Sequence, residues 1–243
     1  MSPRDGDTGD ARDARDARDA RDAGGAGARG AVCLVDDDSS VRRALERLLR
    51  AGGHRTATFA SASEFLQHAR RAGPKAIGCL VLDVQLPGLS GLDLQPALAA
   101  AGLDLPIVFI TGHGDIPMSV QAMKAGAVDF LPKPVAAEAL LDAVGQALAR
   151  GARARADQDE RQEARRRLRT LTPREREVLS QVTTGRLNKQ IAAALGISLK
   201  TVKVHRARAL EKLGAASVAE AVRTVDRAAG GVDESAGRPA ATT

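Results

Sequence analysis

Five short strand-like runs, each followed by a stretch with helical spacing, constrain the first part of this chain more than any other feature. The runs are Ala31–Val35, Arg55–Phe59, Ile77–Leu82, Ile107–Ile110 and Val128–Leu131. Short runs of this kind, rich in apolar and β-branched residues, suit strands covered on both faces. After the first, Val41, Ala44, Leu45, Leu48 and Leu49 recur on one helical face, with Ser39 or Ser40 available as cap. Ser61 and Glu64 form a capping box that opens the next helix. A third helix spans about Leu92–Ala101, where Pro96 is expected to disturb or restart it. Asp115 caps a fourth, with Pro117 in its first turn, and Val135–Ala149 is a final amphipathic helix. Strict β/α alternation demands a parallel sheet with helices on both faces.

The strand ends carry the chemistry. The run Ile77–Leu82 ends in Asp83, and Pro87, Gly88 and Gly91 stop the strand. An acid there leaves the core at the carboxyl edge, where open α/β sheets place their ligands. Taken alone, Asp83 reads equally well as a loop aspartate that caps the following helix. Asp36, Asp37 and Asp38 follow the first run, Thr111 the fourth, and Lys133 the fifth. Three adjacent acids make either a solvated turn or a site whose repulsion a cation offsets. By themselves Thr111 is a strand-end β-former and Lys133 a surface amine. Brought to one edge, these groups form an anionic pocket with a hydroxyl and an ammonium at its rim, which suits Mg²⁺ and a phosphoryl group. Asp37 and Asp83 can offer carboxylates to a hard cation, and Gln85 its backbone carbonyl. Asp83 is then a carboxylate nucleophile, Lys133 pairs with the phosphoryl charge, and Thr111 donates a hydrogen bond to it.

Charge divides the chain again. Residues 151–243 hold nineteen basic and eleven acidic side chains, whereas residues 1–30 and 31–150 are each negative by one, so the net +6 arises wholly in the last part. That excess points this part at a polyanion. Residues 1–30, with four Ala-Arg-Asp triplets from Ala11 to Asp22, have no apolar stripe and read as a disordered tail or a transient charged helix. Only four Phe and no Trp or Tyr are available, so the cores must be aliphatic. Cys33 and Cys79 lie inside apolar runs and read as small buried hydrophobes of a reducing compartment. With no signal-peptide core at the N-terminus and no membrane-spanning stretch, the expected location is cytoplasmic.

Residues 151–170, rich in Arg, Ala, Gln and Glu, read as an exposed linker that is helical in part. Thr172-Pro173-Arg174-Glu175 is a capping box with proline at the first helical position, and Val178, Leu179 and Val182 give that helix a buried face ended by Gly185. A second helix, Asn188–Leu195, stops at Gly196, and a third runs from about Leu199 to Leu213. Lys200, Lys203, His205, Arg206, Arg208 and Lys212 concentrate on the third helix, while Val202, Ala209, Leu210 and Leu213 form its inward stripe. Two short helices around a glycine-containing turn, the second cationic, make a helix-turn-helix, although a basic face can also be merely solvated.

With DDD after the first strand, LDVQLPGLSG around Asp83, TGHGD at Thr111 and KAGAVDFLPKP through Lys133, residues 31–150 closely resemble the receiver domain of two-component response regulators, and specifically the FixJ type. The resemblance implies a flavodoxin-like doubly wound sheet of order 2-1-3-4-5 and phosphorylation of Asp83 by a sensor histidine kinase. It also implies Mg²⁺ on Asp37 and Asp83 with Asp36 in support, and a cis Lys133-Pro134 bond. It further implies that Thr111 moves toward the phosphoryl group and lets Phe130 turn inward. Many relatives have Tyr at that place, so Phe130 keeps the packing but lacks the hydroxyl. LTPREREVLSQVTTGRLNKQIAAALGISLKTVKVHRARALEKLG resembles the LuxR-type DNA-binding domain, an all-α four-helix module over 171–230 whose fourth helix is Ser217–Ala228. That resemblance implies Lys203 and Val204 at base edges of double-stranded DNA, with Asn188, Lys189, Thr201 and His205 on phosphates. Lys200, Arg206 and Arg208 are the further basic candidates, and residues 231–243 read as a disordered end.

These resemblances together imply a transcriptional regulator that dimerises on phosphorylation and works with RNA polymerase, not a metabolic enzyme, with at most slow hydrolysis of the aspartyl phosphate. A haloacid dehalogenase-type hydrolase would need a second Asp two residues after the nucleophile, where Gln85 stands. A DNA-binding protein indifferent to phosphorylation would have no use for Asp37, Asp83, Thr111 and Lys133 together.

Overall fold

The computed structural model describes residues 30–88, 90–112 and 116–230; the readings of the N-terminal tail, of Asp115 as a helix cap and of the C-terminal end lie outside them. The chain divides into two units, Met1–Arg153 and Ala154–Thr243. Strands β1 (Ala31–Val35), β2 (Thr56–Phe59), β3 (Ile77–Asp83), β4 (Ile107–Thr111) and β5 (Asp129–Pro132) form one parallel sheet of order β2-β1-β3-β4-β5: β/α alternation predicts the parallel sheet, and the resemblance implied this doubly wound order. Helices α1 (Ser39–Ala51), α2 (Ala62–Ala72), α3 (Gly91–Ala100), α4 (Ile116–Lys124) and α5 (Ala137–Arg169) alternate with them.

Alternation along the strands splits the core into two layers. Cys33, Val35, Leu80, Leu82 and Phe109 pack against α2, α3 and α4 through Phe65, Leu94, Leu98 and Ala122. Val32, Leu34, Cys79, Val81, Val108 and Ile110 pack against α1 and α5 through Leu45, Leu49, Leu140 and Val144. All seven residues of β3 are buried, so Asp83 is carried to the sheet edge by the most enclosed strand. Burial of a single side chain such as Leu80 or Leu82 is worth about 1.5–3 kcal/mol, which fixes where that strand ends. Both cysteines are fully buried and neither forms a disulfide, and burial pushes the Cys33 thiol up to about 12.

Three local readings need correction. The cap of α1 is Asp38, not a serine: its Oδ1 accepts from the Ser40 and Val41 amides at 2.7 and 3.3 Å. Pro96 neither breaks nor restarts α3, because Leu94 and Leu98 on either side of it are buried and hold both turns to the sheet while Pro96 faces solvent. The residues read as an exposed linker, helical in part, are helical as far as Arg169, since α5 continues to there without interruption.

In the second unit the last turns of α5 join α6 (Pro173–Thr183), α7 (Asn188–Leu195), α8 (Leu199–Leu213) and α9 (Val218–Ala229). Ala164 is buried and Leu168 packs with Leu171, Leu179, Ala209 and Leu213. Arg165 Nε donates to the Ala228 carbonyl at 2.8 Å and Arg167 Nη1 to the Leu213 carbonyl at 3.0 Å, placing cations at the C-termini of α9 and α8. The predicted capping box of α6 is present, with Thr172 N–H donating to Glu175 Oε2 at 2.9 Å and Glu175 N–H to Thr172 Oγ1 at 3.3 Å. Lys212 Nζ also donates to Glu175 Oε2 at 2.6 Å, and that bond, with the Thr172 amide, lowers the Glu175 carboxyl to about 2. Gly196 closes α7 in the left-handed conformation, φ 63°, which glycine adopts without strain. Among the described residues no helix is long and apolar enough to cross a membrane.

Because α5 supplies apolar and capping contacts here, a fragment starting at Ala154 is expected to melt cooperatively and at a higher temperature than one starting at Leu171. Circular dichroism melts of 154–230 and 171–230 would check this, and equal midpoints would show that those contacts add nothing.

Candidate functional site

The sheet order places the carboxyl ends of β1 and β3 side by side, so Asp36 and Asp83 meet. Both carboxylates are buried, while Asp37 is exposed. Oxygens of Asp36, Asp37 and Asp83 all lie within 4.8 Å of one another. Three carboxylates at that spacing are an all-oxygen donor set of the kind a hard dication takes. Lys133 enters from the end of β5: its Nζ donates to Asp36 Oδ2 at 2.7 Å and Asp83 Oδ2 at 2.6 Å. Its own amide donates to the Thr111 carbonyl at 2.7 Å, fixing it to the end of β4. The Lys133-Pro134 bond is cis, as the resemblance implied.

The remaining oxygens are also engaged. Asp36 Oδ1 accepts from Asp38 N–H at 2.9 Å, and Asp83 Oδ1 from Gln85 N–H at 3.0 Å. Arg42, which the sequence reading passed over, donates from Nη1 to the main-chain carbonyls of Asp36 and Asp37 at 2.6 and 3.1 Å, bracing the acidic turn from α1. Its only signal was an arginine one turn into the helix that an acidic turn introduces. Above the carboxylates lies an open cavity of about 780 Å³ lined by Asp37, Asp38, Asp83, Gln85, Leu92, Met118 and Lys133 among others. Thr111 is 1% exposed at the end of β4, and Phe130, half-buried on β5, lies 6.3 Å from Phe109 between ring centroids.

Burial pushes the Asp36 carboxyl above its ordinary 3.8, against the pull of Lys133 and the Asp38 amide. Burial acts on Lys133 in the opposite sense, but its two carboxylate partners outweigh it and hold the ammonium above its ordinary 10.5.

In the second unit, α8 turns Lys200, Lys203, Val204, Ala207 and Arg208 outward. Lys189 is likewise exposed at the start of α7, whereas Asn188, Thr201, His205 and Arg206 are half-buried. The Thr201 hydroxyl is 2.8 Å from the Ser198 hydroxyl, and Ser198 caps α8 by accepting from Thr201 N–H. His205 Nδ1 is buried without a hydrogen bond. Arg206 Nη1 donates to Asn188 Oδ1 at 3.1 Å.

A doubly wound domain with an acid pocket and ammonium at one edge, followed by a helix-turn-helix unit with a cationic outer face, defines a phosphorelay-type regulator with a nucleic-acid-binding output. Residues 32–145 match the response regulator receiver domain, and residues 169–225 match the bacterial regulatory proteins of the luxR family. Nodulation protein W of Bradyrhizobium diazoefficiens is 48% identical over 192 residues, covering 79% of this chain and 83% of that protein. Response regulator protein TodT of Pseudomonas putida is 44% identical over 196 residues, covering 81% and 85%. Transcriptional regulatory protein FixJ of Rhizobium meliloti is 42% identical over 192 residues, covering 79% and 93%. Among solved structures, the response regulator StyR matches with TM-score 0.75 and 48% identity over 82% of this chain and all of that one, and full-length FixJ from B. japonicum with TM-score 0.50 and 37% identity over 83% and 98%. The chain belongs to the two-component response regulators that join a receiver domain to a LuxR-type DNA-binding domain and regulate transcription.

The raised Asp36 pKa carries a consequence for stability. A carboxyl that holds its proton more tightly folded than unfolded loses stability as pH rises through the interval above 3.8. Asp36→Asn removes that ionisation, so in metal-free buffer it is expected to melt above the unsubstituted protein near neutral pH and to lose the advantage in acid below the ordinary aspartate range. A lower melting point for Asp36→Asn at neutral pH would mean that pairing with Lys133 dominates.

Proposed function

We propose that Asp83 accepts a phosphoryl group from the phosphohistidine of a sensor kinase and that its occupancy controls receiver dimerisation and promoter binding. One observation carries the reading: Lys133 Nζ lies between Asp36 and Asp83 at the floor of an open cavity with Asp37 at its wall. A carboxylate oxygen of Asp83 bonds to phosphorus as the bond from phosphorus to the imidazole nitrogen breaks, and the nitrogen keeps the electron pair. Lys133 gives up one carboxylate partner and pairs with the charge that arrives. Thr111 hydrogen-bonds the phosphoryl group, and Phe130 answers by packing inward. Asp36, Asp37 and Asp83, with the Gln85 carbonyl, would hold Mg²⁺, which when bound neutralises charge on the phosphoryl oxygens. Positioning and charge suffice for transfer, and hydrolysis of the product is slow.

The modification adds about −1.5 to −2 charges, biasing a two-state receiver toward a dimerising form. Two output domains then engage adjacent half-sites, each raising the effective concentration of the other on double-stranded DNA. Lys203 and Val204 face base edges, with Asn188, Lys189, Lys200, Thr201, His205 and Arg208 on the backbone side. RNA polymerase is the downstream partner, in the cytoplasm.

Incubation with an acyl phosphate and Mg²⁺, followed by intact mass measurement, is expected to show one phosphoryl group on the native chain and none on Asp83→Asn. Phosphoryl incorporation retained by the variant would sink the assignment. Magnesium should also raise the melting temperature of the native chain, since a ligand bound only by the folded state stabilises it, and Asp37→Asn should abolish that rise.

A further inference from the structure

We infer that Arg206 is a positioning residue for DNA binding, not a phosphate contact, and that it acts by fixing the side-chain amide of Asn188. The inference rests on the DNA-binding reading of the second unit. At about 100° per residue, Arg206 falls about 20° from Leu213, 40° from Val202 and 60° from Ala209, the buried stripe of α8. The outward stripe is instead Lys200, Lys203, Val204 and Ala207, all exposed. Arg206 therefore leaves the helix nearer its inner stripe, is half-buried, and its Nη1 meets Asn188 Oδ1 at 3.1 Å.

The chemistry of the pair sets a direction. A guanidinium has donors and no acceptor, so the Asn188 atom facing it is the oxygen. The Asn188 amide nitrogen then points away from Arg206, and its two N–H groups remain for an acceptor on the outer side of α7. Asn188 is the first residue of α7, next to exposed Lys189. Without Arg206 the amide can turn over and present its oxygen, which repels a phosphate. Arg206 thus selects which end of a neutral side chain the DNA meets.

Counterion release separates the two roles. A side chain that itself neutralises a phosphate contributes about 0.9 to the slope of log affinity against log salt, whereas a neutral amide contributes almost nothing. The probe is a fluorescein-labelled, mixed-sequence duplex titrated with the full chain across a salt series, because phosphate contacts do not depend on sequence. Arg206→Met and Asn188→Ala are each expected to weaken binding about three- to tenfold, the loss of one hydrogen bond. The double variant should bind about as well as either alone. The Arg206→Met salt slope should match the native slope, while Lys189→Met lowers it. Multiplying losses, or a slope lowered by Arg206→Met as much as by Lys189→Met, would overturn the inference, as would native-strength binding by Arg206→Met. If Arg206→Met fails to fold, Arg206→Lys serves: it keeps a donor and should bind better on the native background but not on Asn188→Ala. A gain on both backgrounds relative to Arg206→Ala would assign Arg206 to the DNA instead. Absence of any binding by the native chain would count against the DNA-binding reading itself.

Discussion

The ammonium of Lys133 holds two buried carboxylates from two other strand ends at hydrogen-bond distance, and the geometry of the pocket depends on it. Asp36 and Asp83 stand on neighbouring strands, but β5 lies two places from β3, roughly 10 Å at the usual strand spacing. A lysine stem spans that gap while its own amide is tied to Thr111 at the end of β4. Remove the cation and the carboxylates face each other in a setting where burial has already made ionisation costly for Asp36. The same arrangement ties the strands together: Lys133 at the end of β5 is joined directly to the carboxylates that follow β1 and end β3.

Much of this was legible in the sequence because the sheet is buried on both faces. Runs such as Ile77–Leu82 have few alternatives when each is bracketed by helical spacing, and the helices Asn188–Leu195 and Leu199–Leu213 matched their expected bounds. The acid pocket followed from which residues end the strands. Failures came where periodicity is silent. Between Leu148 and Leu168 the chain offers no apolar side chain larger than alanine, so only partial helix was read where α5 continues; its support there is helix propensity and ion pairs such as Glu163 with Arg166 and Arg167. The cap of α1 was sought in Ser39 or Ser40, the usual capping type, when the last acid of the turn, Asp38, fills that place. Arg206 was read with the other cations of its helix, and its hydrogen bond to Asn188, eighteen residues away, is nothing that counting charge reveals. Arg42 was missed since its partners are main-chain carbonyls, which no pattern of side chains reveals.

The second unit shows how little a small domain needs. With all four phenylalanines in the first unit, its two clusters are aliphatic: Leu171, Leu179, Ala209, Leu213 and Ala221 in one, and Val178, Val182, Ile191 and Val202 in the other. Polar clamps complement them at the helix ends, where Lys212 joins Glu175 and the Thr170 carbonyl, and where Arg165 and Arg167 close α9 and α8. These bonds satisfy carbonyls that a helix leaves open. Packing therefore sets the angles of the helices, and charge sets where they stop.

Gly91 begins α3 directly beneath the end of β3, and a methyl group on it would run into the Asp83 carbonyl oxygen. Its amide donates to the Val84 carbonyl at 2.9 Å. The obstacle is main chain, which cannot swing aside as a side-chain tip can. Even an alanine at this position would thus dislodge the backbone that carries Asp83, although residue 91 has no side chain in the acid pocket. Mutational drift is closed there by the proximity of two backbones, and a lineage carrying such a change would lose the geometry of this sheet edge while keeping every side chain that forms it.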